Sequence, residues 1–395
     1  MTLQSVVVIG AGHAGVTCAA TLRRLGYTGT LTLLDAQPET PYQRPQLSKA
    51  MLVGAEEPTL LPLRPPAFFD GNSLTWCPGD PAIHIDVRAR RVHLASGKVL
   101  GYGKLVMATG SQPRKWTSGA GCSSYSALSL STASDSRALR GALQNAAHLT
   151  VVGGGFIGLE VAAAARSLGV SVSVIERSHR ILSRVASPAF AERVATLHRE
   201  NGVDIRCNAE VVSITSIPAP KNPLRATMRL SCGEECVTDV CLAGIGSVAR
   251  DSLAKDAGLV CEDGIVVDSR QVSSEPDILA IGDCARSFSA RYQRYTRWES
   301  VQAAQEQARI AAMTLCCHPI PAPEAPWFWS DQFGIKMQMA GWLPAAVAAP
   351  QRCTVTSDSF SLKHFDGQKL LAVESWNDVS GHMDARMILT RDGAV

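Results

Sequence analysis

No two cysteines in this chain are spaced Cys-x-x-Cys, no apolar run approaches the length of a membrane span, and neither sign of charge dominates. Each absence excludes a class of protein. A formal net charge of +3 over 395 residues is too weak a basic excess to be the footprint of a nucleic-acid binder. The alanine-rich stretch 340–350 is short and broken by Pro344 and Pro350, so no transmembrane helix is expected. No secretion signal is expected either, because the apolar run Val6 to Ile9 feeds directly into Gly10, and a cytoplasmic location is the expectation. Under those conditions the 12 scattered cysteines read as reduced thiols. Cys232, Cys236 and Cys241 crowd together, but their spacing suits neither zinc nor an iron–sulfur cluster and no histidine lies near. They read as incidental thiols of a solvent-side hairpin, and no metal site is expected.

What is present is a compact chain, 46% hydrophobic and 18% charged, too long for one core, so two or three domains are expected. Val6-Val7-Val8-Ile9 has the β-branched character of a strand buried on both faces. It enters Gly10-Ala11-Gly12-His13-Ala14-Gly15, then a helical pattern that stops at Gly26, then a strand from Leu31 to Leu34 ending at Asp35. Gly10 permits the tight turn, Gly12 lets backbone approach a pyrophosphate, and Gly15 lets the helix pack on the strand. The helix start offers free N–H groups to phosphate, and Asp35 stands where a carboxylate accepts from an adenosine ribose. His13 reads as a packing residue.

The whole pattern recurs. Leu149 to Val152 leads into Gly153-Gly154-Gly155-Phe156-Ile157-Gly158, an alanine-rich helix from Val161 to Leu168, a strand from Val170 to Ile175, and Glu176. A carboxylate at Glu176 accepts from a 2′-hydroxyl and repels a 2′-phosphate, which favours NADH over NADPH. Two dinucleotide sites in one chain suggest a flavin and a nicotinamide exchanging hydride.

Further segments carry a resemblance. The turn Ala108-Thr109-Gly110 after the strand Leu105 to Met107, the segment Asp277 to Asp283, and the loop Pro41 to Lys49 resemble motifs of two-dinucleotide flavoprotein reductases. With Trp298-Glu299-Ser300-Val301 and Pro326 to Gln332, they look like the FAD-dependent NADH:ferredoxin reductases of bacterial P450 and ring-hydroxylating dioxygenase systems. The chain departs from that pattern at Gln46, at Trp298, at Gly246 to Arg250, which lacks the usual Pro-Asn, and in stopping at Val395.

The resemblance implies an α/β fold with two Rossmann-type dinucleotide-binding domains, the two-dinucleotide flavoprotein fold, plus a smaller C-terminal α/β domain. It implies a split FAD-binding domain (1–112 and 244–320), an NAD-binding domain (113–243) and a C-terminal domain (321–395). FAD and NADH are the implied cofactors. Arg44 and Lys49 would contact the flavin, with Lys49 near its N5 edge and paired with Glu160; a buried lysine needs such a carboxylate. Asp283 would bind the ribityl chain, and Trp329 would lie where nicotinamide meets flavin. Gly10, Gly12, Ala14, Gly15, Asp35, Ala108, Thr109, Gly110 and Trp298 complete the FAD set. Gly153, Gly155, Ile157, Gly158, Glu176, Arg184 and Gly246 form the rest of the cofactor set. Lys49, Glu160 and Trp329 are the catalytic candidates.

The implied reaction moves hydride from NADH to FAD, then single electrons to an acidic [2Fe–2S] ferredoxin. Arg286, Arg291, Arg294 and Arg297 offer a basic stretch on which it could dock. Thiol-dependent relatives of the fold need a redox cysteine beside the flavin. Here the loop carries Ser48-Lys49, and Cys18 stands alone. A thiol-independent NADH oxidase-like flavoprotein, or one of the apoptosis-inducing-factor type, is the remaining alternative.

Overall fold

The structure is a computed structural model that describes residues 5–54, 58–71, 74–116, 125–218, 224–343, 351–356 and 358–391. The remainder of the 340–350 stretch from Pro344 onward, and Val395, lie outside the described residues.

Strand Ser5–Ile9 sits at the centre of a five-stranded sheet. Thr30–Leu34 and Leu74–Cys77 extend it on one side, Lys104–Met107 and Ile278–Ala280 on the other, and every pairing is parallel. Alternate side chains of the first strand enter different cores: Val6 and Val8 join one cluster, Val7 and Ile9 the other. That division is why the run is apolar throughout rather than alternating. The late strand Ile278–Ala280 returns more than two hundred positions along the chain to close this first sheet.

A second parallel sheet runs in the order Val203–Cys207, Ser171–Glu176, His148–Val152, Val240–Ala243. It too is covered on both faces, with Leu149 and Val151 in one core and Val152 and Ile175 in another. The fingerprint helices span His13–Arg24 and Phe156–Ser167. The second starts five residues before the alanine-rich segment that announces it, because Gly155 serves as its N-cap.

Residues 327–391 build a five-stranded antiparallel sheet with helix Val379–Arg391 on one face. Its other face packs on the second fold, where Trp376 lies parallel to Phe360 (centroids 5.9 Å) and edge-on to Phe190 of helix Pro188–Glu200. Strand Trp327–Gln332 is the edge of this sheet and lies against the second fingerprint helix, with Phe328 edge-on to Phe156 at 4.7 Å. Among the described residues no helix is long and apolar enough to cross a membrane.

Candidate functional site

Both fingerprint turns are forced by glycine. Gly10 has φ +106° and Gly153 φ +107°, and a Cβ on either would lie 2.2 or 2.4 Å from the carbonyl oxygen of Ala108 or Gly244. The helices that follow have no side-chain cap at Gly12 or Gly155, whereas Thr132, Ser187 and Ser300 cap three other helices. Uncapped N–H groups at the end of a buried strand are an anion site.

The groups around the first turn suit a dinucleotide phosphate. Asp35 accepts from the backbone N–H of Ala11 at 3.1 Å and of Gln37 at 3.0 Å, which fixes its carboxylate beside the turn. Ala11, Gly12, Asp35, Tyr42 and Arg44 line one recess, with the Arg44 guanidinium over Gly12. Burial, and secondarily the like charge of Arg44, lowers the Arg250 pKa, and its buried Nε has no hydrogen-bond partner. Two guanidiniums that feel each other's charge and an orphaned buried donor fit an anionic group. His13 is buried and pushed down to about 4 by burial and by Arg44, so it packs as a neutral ring.

The later segments converge on the same turn. Gly282 abuts Ala14 closely enough that a Cβ there would lie 2.9 Å from the Ala14 methyl. Next to it the Asp283 carboxyl is raised, first by burial and then by Glu299, and accepts from Ser111 Oγ at 2.9 Å. A half-buried carboxyl so sparsely supplied with donors suits the hydroxyls of a ligand. Thr109 donates to the Arg250 carbonyl at 2.6 Å, and Gly110 accepts from the Arg250 N–H, so the 108–110 turn is tied to the 247–250 segment. Trp298 is half-buried against Tyr292, with centroids 5.8 Å apart.

At the second turn, Glu176 accepts from Gly154 N–H and Ser178 N–H, both at 2.7 Å, reproducing the Asp35 arrangement. Gly158 packs on Gly153 as Gly15 does on Gly10. Ile157 is 54% exposed on the first helical turn, and Arg184 lies over Gly246, which has φ +97°.

Between the two folds, Lys49 Nζ sits 2.7 Å from Glu160 Oε1. Ser48 Oγ donates to Glu160 Oε2 and Ser330 Oγ to Oε1 at 2.5 Å. Glu160 is buried rather than a surface helix residue. Trp329 is half-buried, but strand alternation turns it to the face shared with Trp327, opposite Ser330 and Gln332. Of the three catalytic candidates, Lys49 and Glu160 are joined and Trp329 stands on the other side of its strand.

Two expectations need correction. The arginines 286–297 do not project together as a basic rim. Arg286 pairs with Glu262 at 2.9 Å, Arg291 donates to the Thr390 carbonyl, and Arg294 stacks over Trp342 at 4.6 Å. Arg297 is largely buried and pairs with Glu299 at 2.7 Å. Each charge has a partner within the chain, Arg294 while still exposed, because the segment doubles back as a short hairpin onto the first fold. The three clustered cysteines also separate. Cys232 is in an exposed turn, whereas Cys241 is fully buried on Val240–Ala243, whose pairing with His148–Val152 takes it into the core. Among the described residues, no group of three or more His, Cys, Asp or Glu is placed to hold a metal.

Sequence reading assigned no role to Ser330, Gln332, Arg250 or His198. Ser330 and Gln332 lie inside a segment already singled out, where period-2 spacing was the available signal. His198 offered none, because its partner comes from a strand 134 positions away.

The comparisons with known proteins agree with this geometry. A family model described as pyridine nucleotide-disulphide oxidoreductase matches residues 4–308, and one described as reductase C-terminal matches 327–395. Rhodocoxin reductase of Rhodococcus erythropolis is 38% identical over 389 residues, covering 98% of this chain and 90% of its own. The solved ferredoxin reductase for the CYP199A2 system from Rhodopseudomonas palustris superposes with a TM-score of 0.92 at 35% identity, covering 99% of this chain and 96% of that one. The covalent putidaredoxin reductase–putidaredoxin complex gives 0.90 at 34% identity, with coverage of 98% and 93%.

Proposed function

The chain belongs to the pyridine nucleotide-disulphide oxidoreductase family, and from that premise we propose that it takes electrons from NADH and delivers them to a [2Fe–2S] ferredoxin feeding an oxygenase or P450. Bound FAD would supply the conversion, accepting a hydride and releasing electrons singly. The observation that carries this reading is the Lys49–Glu160 pair, which joins a loop of the first fold to the helix of the second.

In this reading Gly10, Gly12, Ala14, Gly15 and Arg44 hold the FAD pyrophosphate region and Asp35 its ribose. Ala108, Thr109, Gly110, Asp283 and Trp298 bound the rest of that site. Gly153, Gly155, Ile157, Gly158, Arg184 and Gly246 hold NADH, and Glu176 accepts from its ribose hydroxyls. The domain division 1–112 with 244–320, 113–243 and 321–395 follows these two sites. Lys49 presents a positive charge where negative charge accumulates on reduction. Trp329 is the proposed aromatic wall at the junction of the cofactors, on the face of its strand opposite Ser330.

Cys18 gives no support to a thiol mechanism. Burial, with Cys316 adding to it, pushes the Cys18 thiol up to about 12, so it is no nucleophile at neutral pH. A cytoplasmic place of action is part of the proposal.

The deciding measurement is NADH-dependent cytochrome c reduction with and without added [2Fe–2S] ferredoxin. Ferredoxin should stimulate the rate strongly, NADPH should be a poor substitute, and no stimulation by any ferredoxin tried would overturn the proposal.

A further inference from the structure

Glu160 is the inner end of a longer chain of side chains. Its Oε1 accepts from Lys49 Nζ and from Ser330 Oγ, and its Oε2 from Ser48 Oγ. Ser330 Oγ in turn lies 2.9 Å from Gln332 Nε2, and Gln332 Oε1 lies 2.7 Å from His198 Nε2. Glu160, Ser330, Gln332 and His198 are all buried. They come from the second fingerprint helix, the edge strand Trp327–Gln332 and helix Pro188–Glu200.

The donors and acceptors allow one ordering when Glu160 is ionised. A carboxylate only accepts, so the single hydroxyl hydrogen of Ser330 points at Glu160. Ser330 must then accept from the amide NH2 of Gln332. That turns the Gln332 carbonyl to His198, whose Nε2 must carry the hydrogen. His198 Nδ1 is left buried without a partner, as a neutral imidazole permits and an imidazolium does not. Burial pushes His198 down to about 4, against a smaller raising effect of the Gln332 bond. A protonated Glu160 would instead be free to donate to Ser330, and the ordering would lose its reason. Lys49 is the charged group paired with Glu160, and Phe333 packs edge-on against His198 at 5.0 Å.

We infer that Ser330, Gln332 and His198 are positioning residues, a polarised hydrogen-bond chain that holds the Glu160 carboxylate aimed at Lys49. The inference rests on the proposed place of the Lys49–Glu160 pair beside the flavin. It adds a role for the C-terminal sheet, which supplies two links of the chain from a strand that belongs to neither dinucleotide fold.

Two measurements test it. In FAD-loaded protein labelled with 15N-histidine, the His198 ring, assigned by its loss in His198→Asn, should show the Nε2–H tautomer and stay neutral from pH 8 to pH 5. A predominant Nδ1–H tautomer or an imidazolium at pH 7 overturns the ordering. Separately, Ser330→Ala deprives Glu160 of one charged hydrogen bond. The acid limb of the pH profile for flavin reduction by NADH should then move to higher pH. Ser330→Thr, which keeps the hydroxyl, should bring the limb back towards its original position. Should Ser330→Ala fail to fold, Gln332→Leu applies the same test by removing the partner of the hydroxyl. An unmoved limb with Lys49→Met still slow refutes the positioning chain alone, whereas a Lys49→Met enzyme of normal rate refutes the pair beneath it.

Discussion

Lys49 keeps a quarter of its side chain in solvent while Glu160 is 8% exposed, so truncating either has a different cost. Removing Lys49 leaves a buried carboxylate with two hydroxyl donors and no counter-charge. Lys49→Met should slow flavin reduction by NADH about tenfold or more, the worth of one charged hydrogen bond, while FAD remains bound through the first turn and Arg44. Stopped-flow reduction at saturating NADH reads the rate, and the flavin spectrum reads occupancy. Histidines set a second residue-scale effect. His13, His198 and His382 are each pushed down from 6.5 to about 4, chiefly by burial, with Arg44 and Arg386 adding at the first and third. Between those values the unfolded chain binds protons that the folded one refuses, so stability is fully present above pH 6.5 and declines as pH falls towards 4. His13 and His198, the more deeply enclosed, should each contribute a slope of about 1.4 kcal/mol per pH unit within that window. Urea midpoints at pH 7.5 and 5 should differ accordingly, and His198→Asn should flatten the dependence. A flat profile would show that these rings are not excluded from water.

At the scale of elements, the two strand–turn–helix units do equivalent structural work at different sites, so equivalent substitutions should separate the sites. Gly10→Ala strains a φ of +106° and drives a methyl into the Ala108 carbonyl, and Gly153→Ala does the same against Gly244. Gly10→Ala should purify with most of its flavin missing. Gly153→Ala should stay yellow, since the first turn is untouched, yet lose NADH oxidation by at least about tenfold. Flavin content and NADH turnover on the same preparations check both, and equal flavin loss in the two would contradict the assignment of separate sites. These units were readable in the sequence because their residues meet only near neighbours. A buried parallel strand needs an unbroken apolar run, and the turn after it needs glycine, wherever the rest of the chain goes. Lys49 and Glu160 were paired by resemblance, not by local pattern. Ser330, Gln332 and His198 were not legible, because their meaning arises only when the edge strand of the third sheet lies along the second fingerprint helix. The arginines 286–297 misled for the same reason. Their sequence shows four charges in a row of twelve residues, whereas folding gives each a partner inside the molecule.

For the molecule as a whole, the position of strand Trp327–Gln332, and with it Ser330, depends on how the third sheet is seated on the second fold. Apolar packing of Trp376, Phe360 and Phe190 supplies area, but a slab of stacked rings can slide. Glu374, buried on strand Lys369–Trp376, supplies register. It accepts from Ser187 N–H at 2.8 Å, from Ser187 Oγ at 2.5 Å and from His364 Nε2 at 2.8 Å. Ser187 is also the N-cap of helix Pro188–Glu200, donating its hydroxyl to Glu374 while accepting from Phe190 N–H at 3.2 Å. That same helix carries His198, so one carboxylate links the seat of the sheet to the far end of the Glu160 chain. Glu374→Ala would orphan the Ser187 N–H and His364 together in a dry interface and should lower stability by about 3 kcal/mol. Ser187→Ala alone should cost about 1 kcal/mol through the lost cap. Because both substitutions break one shared contact, the double variant should be less destabilised than their sum by more than about 0.5 kcal/mol. Chemical denaturation of the four proteins at pH 7.5 measures the cycle, and strict additivity would mean that Glu374 and Ser187 act independently. Flavin reduction by NADH adds the functional half of the test. If seating of the sheet sets Ser330, Glu374→Ala should shift the acid limb of the pH profile in the direction of Ser330→Ala while retaining FAD, whereas a variant that is merely less stable would keep the profile of the unaltered enzyme.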